Sequence, residues 1–229
     1  MNAFIFDMDG VLAENSDYHV EAWTVFSRDY GRELTVEDIK KRLGFNNREY
    51  MRFVLDREPT DQEVIDSTVR KEALYREIFG KHLTAPAGLI PLLDALKREA
   101  FTCGVATSAP SENVDFVLDG LQIRPYFQRV VDASHVKNCK PDPEIYLEAA
   151  SQLNVKPAAC VVFEDAIAGV QSAKAAGMTV IAITTSYPAA VLREHAPDAI
   201  IGSFVDLQAP CAALSVIEAM IGRPFVIHS

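Results

Sequence analysis

The stretch Ala3-Phe-Ile-Phe-Asp7-Met-Asp9-Gly-Val-Leu12 sets the fold. Its first four residues are apolar and rich in aromatic and β-branched side chains, the signature of a short buried strand. That strand runs straight into two carboxylates separated by one residue. Charge at the end of a buried strand is costly. In an open parallel sheet the crevice beyond the carboxyl ends of the strands is where ligands bind, so acids placed there point to a site. Period-two geometry puts Asp7 and Asp9 on one side of the strand until the chain turns at Gly10. One acid is then a candidate nucleophile or metal ligand and the other a candidate acid/base. A surface turn after an edge strand is the competing explanation for an isolated pair of this kind.

Downstream, residues 14 to 81 read as helix after helix. Asp17 is placed to cap a first helix whose apolar stripe is His19, Ala22, Trp23, Phe26 and Tyr30. Thr35-Val-Glu-Asp38 is a capping-box variant that opens a second helix. Asn46 or Asn47 opens a third, and Thr60-Asp-Gln-Glu63 a fourth, long one. From Pro86 the pattern alternates: helices over 89–98, 111–121, 143–153 and 167–176, strands over 101–106, 129–131, 160–163 and 179–183, and a last short strand around Ile200. Such alternation predicts an α/β fold, a doubly wound Rossmann-like parallel sheet with helices on both faces. The helical block is then a small inserted α-helical cap over 14–81, and the sheet core is discontinuous, 1–13 and 82–229. The linkers fall at 12–15 and 80–86, which makes the block a candidate lid.

Three further strand ends carry polar residues toward the same edge. Thr107-Ser108-Ala109-Pro110-Ser111 is a hydroxyl-bearing turn that opens a helix, an arrangement able to hold phosphate on backbone N–H groups. Lys140-Pro-Asp-Pro143 sets a lysine before a helix. Glu164-Asp165 follows a fully apolar strand. Each has an ordinary explanation: a helix cap for the hydroxyls and for Asp165, solvated surface for the lysine. Together they supply what phosphoryl transfer needs: carboxylates for a hard cation, a cation and a hydroxyl for phosphate oxygens, a nucleophile and a second acid.

Composition narrows the partners. With 229 residues, 49% of them hydrophobic, the chain is a soluble globular protein with an ample core. A net charge of −10 speaks against nucleic acid or an anionic membrane as the main partner. Cys103, Cys139, Cys160 and Cys211 have no metal-like spacing, which suits a reducing, cytoplasmic compartment. No signal peptide or membrane span is evident.

The four patterns, Asp7-Met-Asp9-Gly-Val, Thr107-Ser108, Lys140-Pro-Asp-Pro and Glu164-Asp165-Ala-x-x-Gly169, resemble in order the signature motifs of the haloacid dehalogenase-like phosphotransferases. The resemblance implies that Asp7 is phosphorylated and Asp9 is acid/base with its carbonyl on the metal. It further implies that Thr107, Ser108, Ala109 and Lys140 hold the phosphoryl group, and that Asp165 with Glu164 completes a Mg²⁺ site. The β-phosphoglucomutase-like subfamily is closer still: His19-x-x-x-Trp23, Gly44-Phe-Asn-Asn-Arg48 and Lys71 are similar to cap residues that bind sugar phosphate there. Core packing of His19 and solvation of Arg48 and Lys71 are the plainer alternatives.

Asn15, where a hydroxyl or Asp is common, and Glu112, where mutases often carry a basic residue, depart from the mutase pattern. The expectation is therefore a Mg²⁺-dependent phosphohydrolase for a small phosphorylated metabolite, a sugar phosphate, acting as a monomer. A phosphohexomutase is the alternative, and a non-catalytic sugar-phosphate sensor the reading from a different class. Dehalogenation is disfavoured because halide release needs no general acid at Asp9.

Overall fold

The computed structural model describes residues 3–40, 42, 47–207, 215, 217–219 and 222. Among these, six strands form one parallel sheet in the order β3-β2-β1-β4-β5-β6. The strands are β1 (Ala3–Phe6), β2 (Thr102–Ala106), β3 (Arg129–Val131), β4 (Cys160–Glu164), β5 (Thr179–Ile183) and β6 (Ala199–Ile201). Central β1 is flanked by β2 on one side and β4 on the other. Strand order reverses at β1, so the crevice beyond its carboxyl end is the switch point where such sheets bind ligands.

Register fixes what reaches that crevice. Phe6 pairs with both Val105 and Phe163, so the next residue, Asp7, lies level with Ala106 and Glu164. The ladder runs one step further, with Asp7 N–H donating to the Phe163 carbonyl at 3.0 Å and Thr107 N–H to that of Val131 at 2.9 Å. All four residues of β1 are fully buried. Phe163 stacks on Phe6 with ring centroids 5.0 Å apart and meets Phe204 edge-on at 5.3 Å. This aromatic layer holds the end of β4, and with it Glu164, at a fixed height.

The chain divides into two compact units, Met1–Glu14 with Thr84–Ser229 and Asn15–Leu83. The second unit holds α1 (Ser16–Arg28), α2 (Val36–Lys40), α3 (Asn47–Leu55) and α4 (Asp61–Phe79). Asp17 does not cap α1. It lies in the first turn, and the cap position is taken by Asn15, whose side chain instead donates to the Tyr75 hydroxyl at 2.7 Å. Thr35 and Asp38 bond reciprocally ahead of α2, and Thr60 with Glu63 forms a full capping box at α4. Of the candidate openers of α3, Asn47 is its first residue and Asn46 lies outside the described residues.

Around the sheet the first unit carries α5 (Leu89–Arg98), α6 (Ser111–Gly120), α7 (Glu144–Gln152), α8 (Ile167–Ala175) and α9 (Ala189–Arg193). The short α9 is not evident in the sequence pattern. β4 extends through Glu164, one residue beyond its apolar run, because Glu164 still pairs with Ala182 of β5. Cys103 and Cys160 are buried free thiols inside strands and Cys139 is exposed; Cys211 lies outside the described residues. Among the described residues no helix is long and apolar enough to cross a membrane.

Phe163→Ala should cost about 3–5 kcal/mol, because it removes a fully buried ring packed between Phe6 of β1 and the likewise buried Phe204. Urea unfolding measures this, and a loss under about 1 kcal/mol would mean the aromatic layer does not anchor β4.

Candidate active site

At the carboxyl edge of the sheet, Lys140 reaches in from the loop before α7. Its Nζ lies 2.7 Å from Asp7 Oδ1 and 2.7 Å from Glu164 Oε1. The Lys140 and Asp7 side chains are each 10% exposed and Glu164 is 1% exposed. A buried charge is tolerated only when paired and hydrogen-bonded, and this ammonium has two carboxylates. Burial opposes its charged form, but Asp7 and Glu164 outweigh that and hold its pKa well above the usual lysine range. Asp7 responds in the other direction. Burial raises its carboxyl well above the ordinary value against the pull of Lys140, and Glu164, Asp165 and Asp9 add to the rise.

Glu164 is the best-satisfied acid of the group. Oε1 accepts from Lys140 and, at 2.9 Å, from the Tyr146 hydroxyl; Oε2 accepts from the backbone N–H groups of Asp165 and Ala166. A carboxylate offers about four lone-pair positions, and all are taken. Asp165 is held differently. Its Oδ2 accepts from the hydroxyl of Ser186, which follows β5, and lies 3.3 Å from that of Thr185, whose one proton goes chiefly to the Gly10 carbonyl at 2.6 Å. Asp165 does not cap α8, whose cap position is Ala166. Burial first, then Glu164, pushes its carboxyl up to about 7 despite the Ser186 hydroxyl.

Oxygen atoms of Asp7, Glu164 and Asp165 all lie within 4.8 Å of one another. Three buried carboxylates facing one ammonium leave an excess of negative charge, and an all-oxygen donor set of this kind fits a hard divalent cation. Asp7 and Asp165 retain lone pairs for it. Glu164, its own filled, sits behind them as the anchor of Lys140.

The remaining sequence candidates fall in two places. In the sheet unit, Asp9 is half-buried on the turn after β1, Ser108 is exposed, and Thr107 and Ala109 are buried. Thr107 Oγ1 accepts from Ala109 N–H at 3.1 Å, which shapes the turn between β2 and α6. In the helical unit, His19, Trp23 and Lys71 come together. Lys71 Nζ is 2.8 Å from His19 Nδ1 and 2.8 Å from Glu72, and 5.5 Å from the centre of the Trp23 ring. His19 stacks on Tyr75 at 3.9 Å. Arg48 is engaged elsewhere in that unit, donating to Glu58, to the Pro59 carbonyl and to Asp61. Gly44, Phe45 and Asn46 lie outside the described residues.

Beyond these, the site includes Tyr146, Thr185 and Ser186, which sequence reasoning passes over. Tyr146 is an apolar-stripe residue of α7 by periodicity, and the two hydroxyls stand in an ordinary polar turn after β5. Only the folded sheet brings them to the acids.

A model of the haloacid dehalogenase-like hydrolase family matches residues 4–183. The chain belongs to that family. Among these hydrolases and their relatives, a phosphorylated carbohydrates phosphatase of Thermotoga maritima is 35% identical over 179 residues, covering 78% of this chain and 82% of that one. A β-phosphoglucomutase of Bacillus subtilis is 33% identical over 198 residues, covering 82% and 85%. The crystal structure of a haloacid dehalogenase-type hydrolase (family IA, variant 3) from Entamoeba histolytica superposes with a TM-score of 0.88 at 28% identity, over 97% of this chain and 98% of that one.

Two glycines of the family-like motifs have a steric reason here. Gly10 takes φ +75°, and a Cβ on it would run into the Asp165 carboxylate. Gly169 lies in the first turn of α8, where a Cβ would run into the Glu164 carboxylate. Ala for Gly inside a helix ordinarily stabilises by about 1 kcal/mol. Gly169→Ala should do the reverse, because Glu164 is pinned by four donors and cannot give way, and overpacking of this kind costs about 1–3 kcal/mol. A variant that melted at or above the wild-type temperature would show that Glu164 is free to move.

Proposed function

We propose that the chain is a Mg²⁺-dependent phosphohydrolase of a small phosphorylated metabolite, a sugar phosphate, and that it works through a phosphoaspartate on Asp7. The observation that carries this is the Asp7–Lys140–Glu164 arrangement: a buried carboxylate aimed into the crevice, with an ammonium held beside it by a second acid. The Asp7 oxygen attacks phosphorus, the P–O bond to the sugar breaks, and Asp9 gives its proton to the departing alkoxide. Asp9, now a base, takes a proton from water. That water attacks the phosphoaspartate, inorganic phosphate leaves and the Asp7 carboxylate is restored. Lys140 stabilises charge on the phosphoryl oxygens in both steps, and the Ser108 hydroxyl and the backbone around Thr107 and Ala109 bind them. The carboxylates of Asp7 and Asp165 and the Asp9 carbonyl would hold Mg²⁺, which would supply positive charge to offset that of the phosphoryl group.

Residues 14–81 act in this reading as a cap that contributes substrate specificity through His19, Trp23, Arg48 and Lys71, and the sheet unit does the chemistry. A phosphohexomutase is the second reading, favoured by the likeness to the Bacillus subtilis enzyme. A mutase needs a second, non-reacting phosphate site and hence uncommitted cations. Arg48 is shared between Glu58 and Asp61, and Lys71 is bonded to Glu72 and His19. Glu112 adds a negative charge in the first turn of α6. Neutralised by Glu58, Asp61 and Glu72, the two cations remain able to donate to sugar hydroxyls but have little charge to spare for a second phosphate, which supports hydrolysis over phosphoryl return to a sugar.

The test is phosphate release from a panel of sugar monophosphates without added bisphosphate. Release should depend on Mg²⁺, stop on chelation and return on re-addition. Asp7→Asn should lower turnover at least about a thousandfold. Interconversion of 1- and 6-phosphates on adding a hexose bisphosphate, with little phosphate released, would establish the mutase instead. Binding of sugar phosphates with no turnover at all would establish the sensor.

Lys71→Ala should reduce kcat/KM for a sugar phosphate about tenfold more than for a small aryl phosphate, since only the former offers the cap a sugar to recognise. Equal losses on both substrates would remove Lys71 from substrate recognition.

A further inference from the structure

Tyr146 is the one fully buried phenol that joins the charged cluster among the described contacts. Its place on the inner face of α7 calls only for a large apolar side chain, and phenylalanine would fill it. A buried hydroxyl carries a cost unless it finds partners. Here it has two. It donates to Glu164 Oε1 at 2.9 Å and accepts from Lys140 Nζ at 3.1 Å. The ring itself lies under the ammonium, 4.9 Å from Nζ to the ring centre.

Resting on the phosphohydrolase reading above, we propose that Tyr146 is a positioning residue that aims Lys140 at the phosphoryl group on Asp7. An ammonium has three protons. In this site they are shared among Asp7 Oδ1, Glu164 Oε1, the Tyr146 oxygen and, more distantly at 3.4 Å, the Ala106 carbonyl. Glu164 is the acid most able to draw Lys140 away from Asp7, since it is the more deeply buried of the two. Donation from the Tyr146 hydroxyl takes up part of that negative charge, and the phenol oxygen offers Nζ a neutral acceptor in exchange. One N–H is thereby kept at Asp7, beside the phosphorus it attacks, so the ammonium meets the charge on the phosphoryl oxygens without reorienting. Without the hydroxyl, Glu164 Oε1 has Lys140 as its only side-chain donor, and the ammonium shifts toward it.

This assigns the hydroxyl an effect on the transition state and not on ground-state binding. Tyr146→Phe keeps the ring and the packing. Its kcat should fall about tenfold for a sugar phosphate and an aryl phosphate alike, with KM within about twofold of wild type. Inhibition by orthovanadate, which mimics five-coordinate phosphorus, should weaken by a similar factor. In a Glu164→Gln background the same substitution should have less than half its effect on log kcat, because the competition it relieves has lost its charge. A kcat within twofold of wild type beside an active wild-type protein would overturn the inference alone, as would a loss confined to KM or unchanged vanadate inhibition. A Tyr146→Phe protein that failed to fold would also overturn it, by showing that the hydroxyl serves the fold. A wild-type protein that hydrolyses neither ester would bring down the phosphohydrolase reading, and this inference with it.

Discussion

The cost of burying charge governs this molecule. Lys140, Asp7 and Glu164 are taken almost entirely out of water, and a lysine in such a place is stable only while both carboxylates stay within hydrogen-bond reach. The two acids come from adjacent parallel strands. Their separation is therefore set by strand spacing and register, and the pairing of Phe6 with Phe163 puts them level. Lys140 is 133 residues from Asp7 in sequence, so the ion pair closes a long loop of chain across the sheet edge. In the phosphohydrolase reading, the same desolvation that makes the cluster expensive makes it reactive. With water excluded, a fixed ammonium and fixed N–H groups act on developing charge more strongly than they would in solution.

The layers behind the cluster turn this into a rigid device. The aromatic stack of Phe6, Phe163 and Phe204 holds the strand ends, the backbone N–H groups at the start of α8 hold Glu164, and the loop after β5 holds Asp165 through the Ser186 hydroxyl. Asp165 and Glu164 are neighbours in sequence with different work: one is clamped by a hydroxyl and keeps lone pairs for a cation, the other is saturated by N–H and O–H donors. Glycine at 10 and at 169 is what lets the backbone come close enough to both.

The sheet was legible in the sequence because its central strands, β1 and β4, are apolar runs buried throughout, the pattern parallel strands leave, and the apolar runs of the others alternate with helical periodicity. The acids and the hydroxyl turn were legible for a related reason: each stands directly after an apolar run, where charge has no structural use; Lys140 follows a polar stretch and stood out only beside the helix-opening Pro-Asp-Pro that comes after it. Helix ends were less so. Asp17 looked like a cap by residue type, but the cap position of α1 falls two residues earlier, at Asn15, whose side chain is drawn to Tyr75. Glu164 proved to be strand and not loop, because its backbone continues the ladder to β5. Tyr146, Thr185 and Ser186 were not legible at all. Their relation to the acids spans 18 to 21 residues of chain and is created by parallel crossover, which leaves no local periodicity.

The account stands on one covalent event at one atom. The most direct measurement is acid quenching of the Mg²⁺-loaded protein during turnover of a phosphate ester, followed by proteolysis and mass spectrometry of the peptide that contains Asp7. The account predicts a phosphoryl group on Asp7, labile to hydroxylamine and absent from Asp7→Asn. Turnover at the full rate with no modified peptide, or with the phosphoryl group on any other residue, would contradict it.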